Sequence, residues 1–271
     1  MSHLDSQVPY WDAAAATKTF THPLHPPWLD GVGRHAAILD YGCGCGCGRI
    51  MAELEQHGFD NLTGADTSPD MVRRARRLHP AMRFATLDAP PLSPYRAADF
   101  DAVLLFAVLT CVPGDKAQHR LIAELNRVLK PGGILYISDL LLQDDARNRS
   151  RFDRHADRNG SYGVFETDDG VVCRHHSREW LAALLAGFET VDTRTITVLT
   201  MNGHESSGIQ VLARKPGPGP TPPPARRSGR TGTSPQRSAT LSAEFLGETD
   251  YHREHETNVL RQLAVLRRAH P

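Results

Sequence analysis

The stretch from Asp40 to Arg49, DYGCGCGCGR, alternates glycines with cysteines and could support either of two chemistries. Closely spaced thiolates can bind a metal ion, whereas glycines let the backbone turn tightly and bring its amide groups against a ligand. Zinc cages usually use C-x2-4-C pairs, but Cys43, Cys45 and Cys47 have C-x-C-x-C spacing and no second cluster balances them. The pattern therefore favours a ligand-binding glycine loop, and we expect no bound metal.

The surroundings of the glycine loop restrict the kind of ligand. The apolar segment AAILDYG precedes the loop and RIMAELEQHG follows it, so the loop joins a predicted strand to a helix whose first turn favours a carboxylate. The dinucleotide pattern G-x-G-x-x-G does not fit, because its last position falls on Cys47 when it starts at Gly42 and on Arg49 when it starts at Gly44. No Gly-Lys-Ser/Thr follows, which argues against a nucleoside triphosphate.

Strand and helix patterns alternate over residues 36–215, the part of the chain that must position this loop. The predicted strands are AAILDYG, NLTGAD, MRFATLD, FDAVLLFAV, ILYISD, TVDTRTITV and GIQVLAR. The predicted helices are RIMAELEQHG, SPDMVRRARRLHP, DKAQHRLIAELNRVLK and SREWLAALLAGF, with Ser68 as a cap before Pro69. This order predicts an α/β fold, a doubly wound and mostly parallel seven-stranded sheet with helices on both faces.

Composition divides the chain into four segments. Residues 1–35 form an aromatic and His-containing N-terminal lid segment, and residues 36–215 form the predicted α/β domain. Residues 216–241 are rich in Pro, Gly and Arg with little to bury, so we predict a disordered linker. Residues 242–271 have the pattern of an amphipathic helix, which would pack on this domain, on a second copy in a homo-oligomer or on another partner.

Charge, hydropathy and cysteine content restrict the partners and the cellular compartment expected for the protein. The 31 basic residues balance the 31 acidic ones, which argues against a nucleic-acid backbone as the main partner. The longest apolar stretch, Ala102 to Val112, is far shorter than the roughly 18–20 residues of a membrane span, and the first thirty residues contain no apolar run of the kind a signal peptide needs. Five cysteines without a pairing pattern indicate a reduced, cytoplasmic protein.

Five segments occur in an order that resembles the class I S-adenosylmethionine-dependent methyltransferases. They are ILDYGCGCGCGR, LTGADTSPDMVRRAR, MRFATLDAP, FDAVLLFAVLTCV and ELNRVLKPGGILYISD. The likeness is strong over residues 36–140 and looser over 141–215, and it implies a Rossmann-like fold, S-adenosylmethionine as cofactor and a small-molecule substrate. One departure is a Cys-Gly pair before Arg49, which leaves the register of the glycines against the cofactor open by two positions.

The resemblance implies roles for residues at the strand ends. Asp40 would organise the glycine turn around the methionine end of the cofactor, and Asp66 would bind both ribose hydroxyls. Met71 would lie along the adenine, Asp88 would accept its amino group, and Phe106 would lie near the transferred methyl group. The complete cofactor-binding set is Asp40, Gly42, Cys43, Gly44, Gly46, Asp66, Thr67, Met71, Leu87, Asp88, Ala89 and Phe106.

Residues for the methyl acceptor are expected in two segments outside these motifs. One is YWDAAAATKTFTHPLHPPW before the first strand, and the other is RFDRHADRNGSYGVFETDDGVVCRHH after the fifth, where the family builds substrate pockets. We expect one of three histidines to act as base or orienter for an oxygen or nitrogen acceptor: His22, His175 and His176. The predicted pocket residues are Tyr10, Phe20, Tyr162, Phe165 and Glu166.

Three alternative functions stay open at this point. Methylation of exocyclic amines in nucleic acids usually employs an Asn/Asp-Pro-Pro-Tyr/Phe segment after the fourth strand, where this chain has FAVLTCV. An RNA or protein methyltransferase is one alternative, and Cys111 with Cys173 as ligands for a soft metalloid is another. The third is a non-catalytic S-adenosylmethionine-binding scaffold that assembles through the C-terminal helix.

Overall fold

A computed structural model of the chain describes residues 7–15, 17–18, 20–44, 48–88, 95–159 and 161–217, with backbone alone for 157–159. The predicted C-terminal helix and all but the first two residues of the predicted linker lie outside the described residues. Cys45, Gly46, Cys47 and Ala89 lie outside them as well.

The predicted seven-stranded, mostly parallel sheet is confirmed. Its strands are β1 Ile38–Tyr41, β2 Leu62–Asp66, β3 Arg83–Thr86, β4 Phe100–Phe106, β5 Leu129–Leu140, β8 Glu189–Leu199 and β9 Glu205–Arg214. A separate antiparallel hairpin consists of β6 Val164–Glu166 and β7 Val172–Arg174. The order in the large sheet is β3-β2-β1-β4-β5-β9-β8. The first five strands in this order are parallel, and β9 pairs antiparallel with both β5 and β8.

Six α-helices accompany these strands in the described part of the chain. They are α1 Val8–Ala14, α2 Arg49–Gln56, α3 Pro69–Leu78, α4 Asp115–Val128, α5 Ala146–Asn159 and α6 Arg178–Leu184. The predicted cap of α3 is confirmed, because Ser68 Oγ accepts a hydrogen bond from the Met71 amide and Pro69 is the first helical residue. Ser177 caps α6 in the same way through the Trp180 amide. None of the described helices has the length and apolar composition to cross a bilayer.

The core lies on both faces of the sheet, as a doubly wound fold requires. Alternate residues of β4 point in opposite directions, so Val103 and Leu105 pack with α4 and α6 while Leu104 and Phe106 pack with α2 and α3. The nearly continuous apolar pattern of FDAVLLFAV therefore reflects burial on two sides.

Three features differ from the sequence prediction. Helix α4 ends at Val128 rather than Lys130, because Leu129 already has extended backbone and pairs with Phe100. Helix α5 and the β6–β7 hairpin fill the insert after β5, for which the sequence predicted no element. Helix α1 in the N-terminal segment was also not predicted.

The N-terminal segment packs over the start of α3. Asp12 Oδ1 accepts hydrogen bonds from the Ser68 hydroxyl at 2.6 Å and from the Asp70 amide at 3.2 Å. The Arg74 guanidinium donates to the Ala15 carbonyl at the end of α1. Helix α1 is therefore held close to the carboxyl-terminal edge of the sheet.

Candidate functional site

The carboxyl ends of β1, β2 and β4 meet at one edge of the sheet. The parallel register aligns Tyr41 with Ala65 on one side and with Leu105 on the other, so the residues that follow these strands lie close together. We call the pocket at this edge the donor pocket. Its lining residues are Phe20, His22, Asp40, Gly42, Cys43, Arg49, Ile50 and Phe106.

The glycine loop leaves no room for side chains at two positions. Gly42 has a φ of 77°, its amide donates to the Ala65 carbonyl at 2.7 Å, and a Cβ there would lie 2.3 Å from Val108 Cγ2. At Gly44 a Cβ would lie 2.3 Å from Met71 Cβ and 2.7 Å from Asp66 Oδ2. Glycine is therefore required for both the turn and the close approach of this loop to β2 and α3. The predicted contact of Gly46 lies outside the described residues.

Asp66 is held at the end of β2 by backbone amides. Oδ2 accepts from Gly44 at 2.9 Å and Oδ1 accepts from Ser68 at 2.8 Å. Burial raises the pKa of this carboxyl group, and the hydrogen bonds from the backbone oppose that rise. A carboxylate oxygen can accept more than one hydrogen bond, so this orientation is compatible with two hydroxyl donors.

The donor pocket also contains polar groups that lack a protein partner. Arg49 Nη2 donates to the His22 carbonyl at 2.5 Å, while Arg49 Nε and His22 Nε2 are buried without hydrogen bonds among the described residues. Burial raises the pKa of Asp40 to about 7, and the Arg49 charge opposes that rise. A carboxyl group and a guanidinium in one pocket match the amino and carboxylate groups of an amino acid. The residues present therefore fit the methionine end of the predicted cofactor.

The residues predicted for the adenine lie farther along the edge. Met71 and Leu87 are buried, and Met71 packs with Trp11 and Ala14 of α1. Thr67 is half-buried, Asp88 is exposed at the end of β3, and Ala89 lies outside the described residues. Their contacts with adenine stay predictions.

The three candidate histidines lie in three different environments. His22 lines the donor pocket, and its Nδ1 lies 2.9 Å from Ser138 Oγ. His175 lines a second pocket, and its Nδ1 is buried without a hydrogen bond among the described residues. Both ring nitrogens of His176 are close to protein groups, with Nε2 2.9 Å from Gln118 Nε2 and Nδ1 3.3 Å from the Leu140 carbonyl. The same Gln118 nitrogen lies 3.0 Å from the Leu109 carbonyl and 2.8 Å from the Val112 carbonyl, so its two hydrogens are shared among these acceptors and His176 belongs to a buried structural network.

Burial also determines the protonation state of His22 and His175. Burial lowers the pKa of His22 to about 4, although the Asp139 charge opposes that change. Burial likewise lowers the pKa of His175 well below its usual value, and the Arg151 charge adds to this effect. Both imidazoles are therefore neutral near pH 7.

The second pocket encloses about 440 Å³ of space, part of which is open to solvent, and we call it the acceptor pocket. Of the five residues predicted for the substrate, Phe20 and Phe165 line it, and Phe20 lines the donor pocket too. The other three do not line it. The Tyr10 hydroxyl donates to Asp169 Oδ2 at 2.9 Å, and the side chains of Tyr162 and Glu166 are exposed.

Several lining residues were not singled out from the sequence. Arg147 and Arg151 of α5 line the acceptor pocket together with Thr110, which follows β4. Their spacing of four residues is the available signal, because it places both on one face of a helix, but no helix was predicted there. Arg49 was recognised only as the end of the glycine motif. Among the described residues, no three His, Cys, Asp or Glu side chains are arranged to hold a metal ion.

Comparison with known proteins identifies the class to which this fold and site belong. A family model described as a methyltransferase domain matches residues 39–137. Human methyltransferase-like protein 27 is 32% identical over 185 residues, which cover 66% of this chain and 71% of the relative. A ubiquinone biosynthesis O-methyltransferase from Xanthomonas oryzae pv. oryzae is 33% identical over 141 residues, which cover 48% of this chain and 56% of that enzyme.

A solved structure agrees over a longer range. The crystal structure of a SAM-dependent methyltransferase from Methanosarcina mazei superposes with a TM-score of 0.66 and 27% identity. The match covers 72% of this chain and 99% of that one. The chain therefore belongs to the class I S-adenosylmethionine-dependent methyltransferases. It is an enzyme, and S-adenosylmethionine is its methyl donor.

Proposed function

We propose that the chain transfers a methyl group from S-adenosylmethionine to an oxygen or nitrogen atom of a small molecule by in-line displacement. One observation carries this proposal, namely that Phe20 lines both the donor pocket and the acceptor pocket. The two pockets are thus neighbours, as transfer from a donor to a small acceptor requires. The name of the Xanthomonas relative states an oxygen acceptor, which supports the same class of reaction.

The chemistry requires positioning more than acid–base power. S-adenosylmethionine, when bound, supplies an electrophilic methyl group on a sulfonium, and the electron pair of the broken carbon–sulfur bond stays with sulfur. The chain must hold the acceptor lone pair in line, an effect that can contribute as much as about 7–11 kcal/mol. The Phe20 ring, which lines both pockets, would limit the access of water to the reacting atoms, and the Asp66 carboxylate and the glycine loop would hold the donor. A proton lost by the acceptor passes to a neighbouring base or to water.

We infer that His22 and His175 orient the acceptor by hydrogen bonding. Each has a buried ring nitrogen without a partner among the described residues, and each is neutral near pH 7. A neutral imidazole can accept a hydrogen bond from a hydroxyl or amine and so direct its lone pair. His22→Ala and His175→Ala should lower kcat, whereas the exposed His57→Ala should not. Full turnover in both pocket variants would exclude this role.

Transfer of label tests the acceptor class. The purified chain is incubated with methyl-labelled cofactor and separately with small-molecule, RNA and protein fractions of a cell extract. We expect label in the small-molecule fraction and a large loss with Phe20→Ala. Label in RNA or protein alone would refute the proposed acceptor, and absence of transfer to every fraction would contradict the proposed reaction itself.

We further propose that residues 1–35 cover the donor pocket and that the protein works in the reduced cytoplasm. The contacts of Asp12 with the start of α3 support the first statement. The five cysteines of the sequence, odd in number and without a pairing pattern, support the second. Assembly as a homo-oligomer or with a partner through residues 242–271 stays a prediction, since those residues lie outside the described part.

A further inference from the structure

The charge of the acceptor pocket is not explained by methyl transfer alone. Arg147 and Arg151 line it, whereas no Asp or Glu is among its described lining residues. Neither arginine has a carboxylate within salt-bridge distance in the described part of the chain, although other arginines do, such as Arg174 with Asp115 at 2.5 Å. Two arginines thus line the pocket, and the carboxylates whose charges act on Arg151, those of Asp145 and Asp168, belong to residues that do not line it.

Arg151 is oriented by aromatic rings. Its guanidinium carbon lies 3.5 Å from the centroid of Phe165 and 5.6 Å from that of Phe152. Stacking on a ring fixes the plane of the group and leaves its N–H edge free to pair with a planar anion. Arg151 Nε is buried and has no hydrogen-bond partner among the described residues. Burial, and then the neighbouring Arg147 charge, lower the pKa of Arg151 to about 10, so the group is still charged near pH 7.

Two further polar atoms of this pocket lack partners. Thr110 Oγ1 and His175 Nδ1 are buried without hydrogen bonds among the described residues, and both residues line the pocket. Buried polar groups are nearly always paired in folded proteins, so three such atoms around one pocket indicate a polar ligand. The remaining walls include apolar side chains, among them Phe20, Leu140 and Met201, which suit the carbon skeleton of that ligand.

We propose that the acceptor molecule carries a carboxylate that binds to Arg151 and Arg147, and that the methyl group is added to a different oxygen or nitrogen of the same molecule. This inference rests on the small-molecule function proposed above. A carboxylate has the planar geometry that one stacked guanidinium can pair with through two parallel hydrogen bonds. A site for a phosphate dianion would be expected to have more hydrogen-bond donors and fewer apolar wall residues than this pocket has.

The carboxylate serves as an anchor and not as the methyl acceptor. Hydrogen bonds from two cations withdraw electron density from its oxygens and weaken them as nucleophiles. Arg147 and Arg151 line the acceptor pocket only, whereas Phe20 is shared with the donor pocket. The anchored group is therefore expected on the α5 side and the reacting atom on the Phe20 side.

Analysis of the labelled product tests the inference with the full chain. The small-molecule fraction of an extract of the source organism is methylated with labelled cofactor, resolved by anion exchange and examined by mass spectrometry. We expect a product with a free carboxylate and a label that resists ester hydrolysis. A methyl ester, a phosphorylated product or a product without any anionic group would overturn the inference and leave the proposed function intact. Absence of label from small molecules would overturn both.

Variants of α5 then test the anchor with the identified acceptor. Arg151→Met and Arg147→Met should each raise KM for the acceptor, by about 10- to 100-fold for Arg151, because a hydrogen-bonded charge pair is lost. Arg149→Met is the matched control, since Arg149 is exposed on the same helix and does not line the pocket.

Two measurements separate binding from folding in these variants. Arg151→Lys keeps the charge without the planar fork and should give an intermediate KM. Affinity for S-adenosylhomocysteine should be unchanged in every arginine variant, because the donor pocket is intact. An unchanged acceptor KM in both Arg147→Met and Arg151→Met would overturn the inference.

Discussion

Replacement of Gly44 by alanine tests whether the glycine loop must approach β2 and α3 as closely as the structure has it. The added Cβ would lie 2.3 Å from Met71 Cβ and 2.7 Å from Asp66 Oδ2. Normal carbon–carbon contacts are about 3.5–4.0 Å, so the loop must move outward by about 1 Å or displace α3. That movement breaks the 2.9 Å hydrogen bond from the Gly44 amide to Asp66.

The cost of this substitution has two parts. Overpacking costs about 1–3 kcal/mol, and loss of a hydrogen bond to a charged group costs about 1.5–3 kcal/mol. A combined cost of about 3 kcal/mol in the donor-binding conformation corresponds to more than about 100-fold weaker binding. Calorimetric titration with S-adenosylhomocysteine measures this change, and thermal unfolding reports whether the variant is folded.

The control for Gly44→Ala is Gly31→Ala, because a Cβ at Gly31 has no neighbour within 4 Å. Gly31→Ala should bind like the wild type. If a folded Gly44→Ala protein binds within about threefold of the wild type, the loop does not form the donor site in the described conformation.

Three further predictions concern stability. Since burial raises the Asp40 pKa from 3.8 to about 7, the free energy of unfolding of the wild type should fall as pH rises between these values. Asp40→Asn should remove this fall. In denaturant titrations, the stability of the variant relative to the wild type should therefore increase by about 4 kcal/mol from pH 4 to pH 8. Ser68→Ala should lower the free energy of unfolding by about 0.5–2 kcal/mol through loss of the α3 cap. Because the Ser68 hydroxyl also donates to Asp12 of α1, the same variant should speed amide exchange in α1, and unchanged exchange would refute this contact. Gln118→Ala should cost about 3 kcal/mol or more because it leaves buried groups such as the His176 ring unpaired, whereas the exposed Lys116→Ala should be nearly neutral in the same titration.

The parallel sheet and the position of the glycine loop could be predicted because local patterns determine them. The β4 segment is apolar at nearly every position, which is typical of a strand covered on two faces, and Ser68-Pro69 marks a helix start by capping chemistry alone. The confirmed parallel sheet then places Asp40 and Asp66 at one edge without further information.

The acceptor pocket could not be predicted in the same way, because it depends on tertiary contacts. Arg151 lies on α5, a polar helix whose position depends on the contact between Phe152 of α5 and Phe165 of β6. The sequence alone does not show that these two rings meet. Phe20 lines both pockets only because the N-terminal segment folds back over the sheet edge. The structural role of His176 likewise depends on Gln118, which is distant in sequence.

Titration of the wild type and Asp66→Asn with S-adenosylhomocysteine tests the central claim most directly, namely that the edge formed by β1, β2 and β4 holds the methyl donor. The asparagine side chain would keep the shape of the aspartate but lose the charge that contacts the Gly44 amide and that we predict to bind the ribose hydroxyls. We predict measurable binding by the wild type and by the partly exposed control Asp70→Asn, with affinity at least about tenfold lower for Asp66→Asn, as loss of one charged hydrogen-bond acceptor implies. No binding by the wild type, or equal binding by all three proteins, would contradict the account.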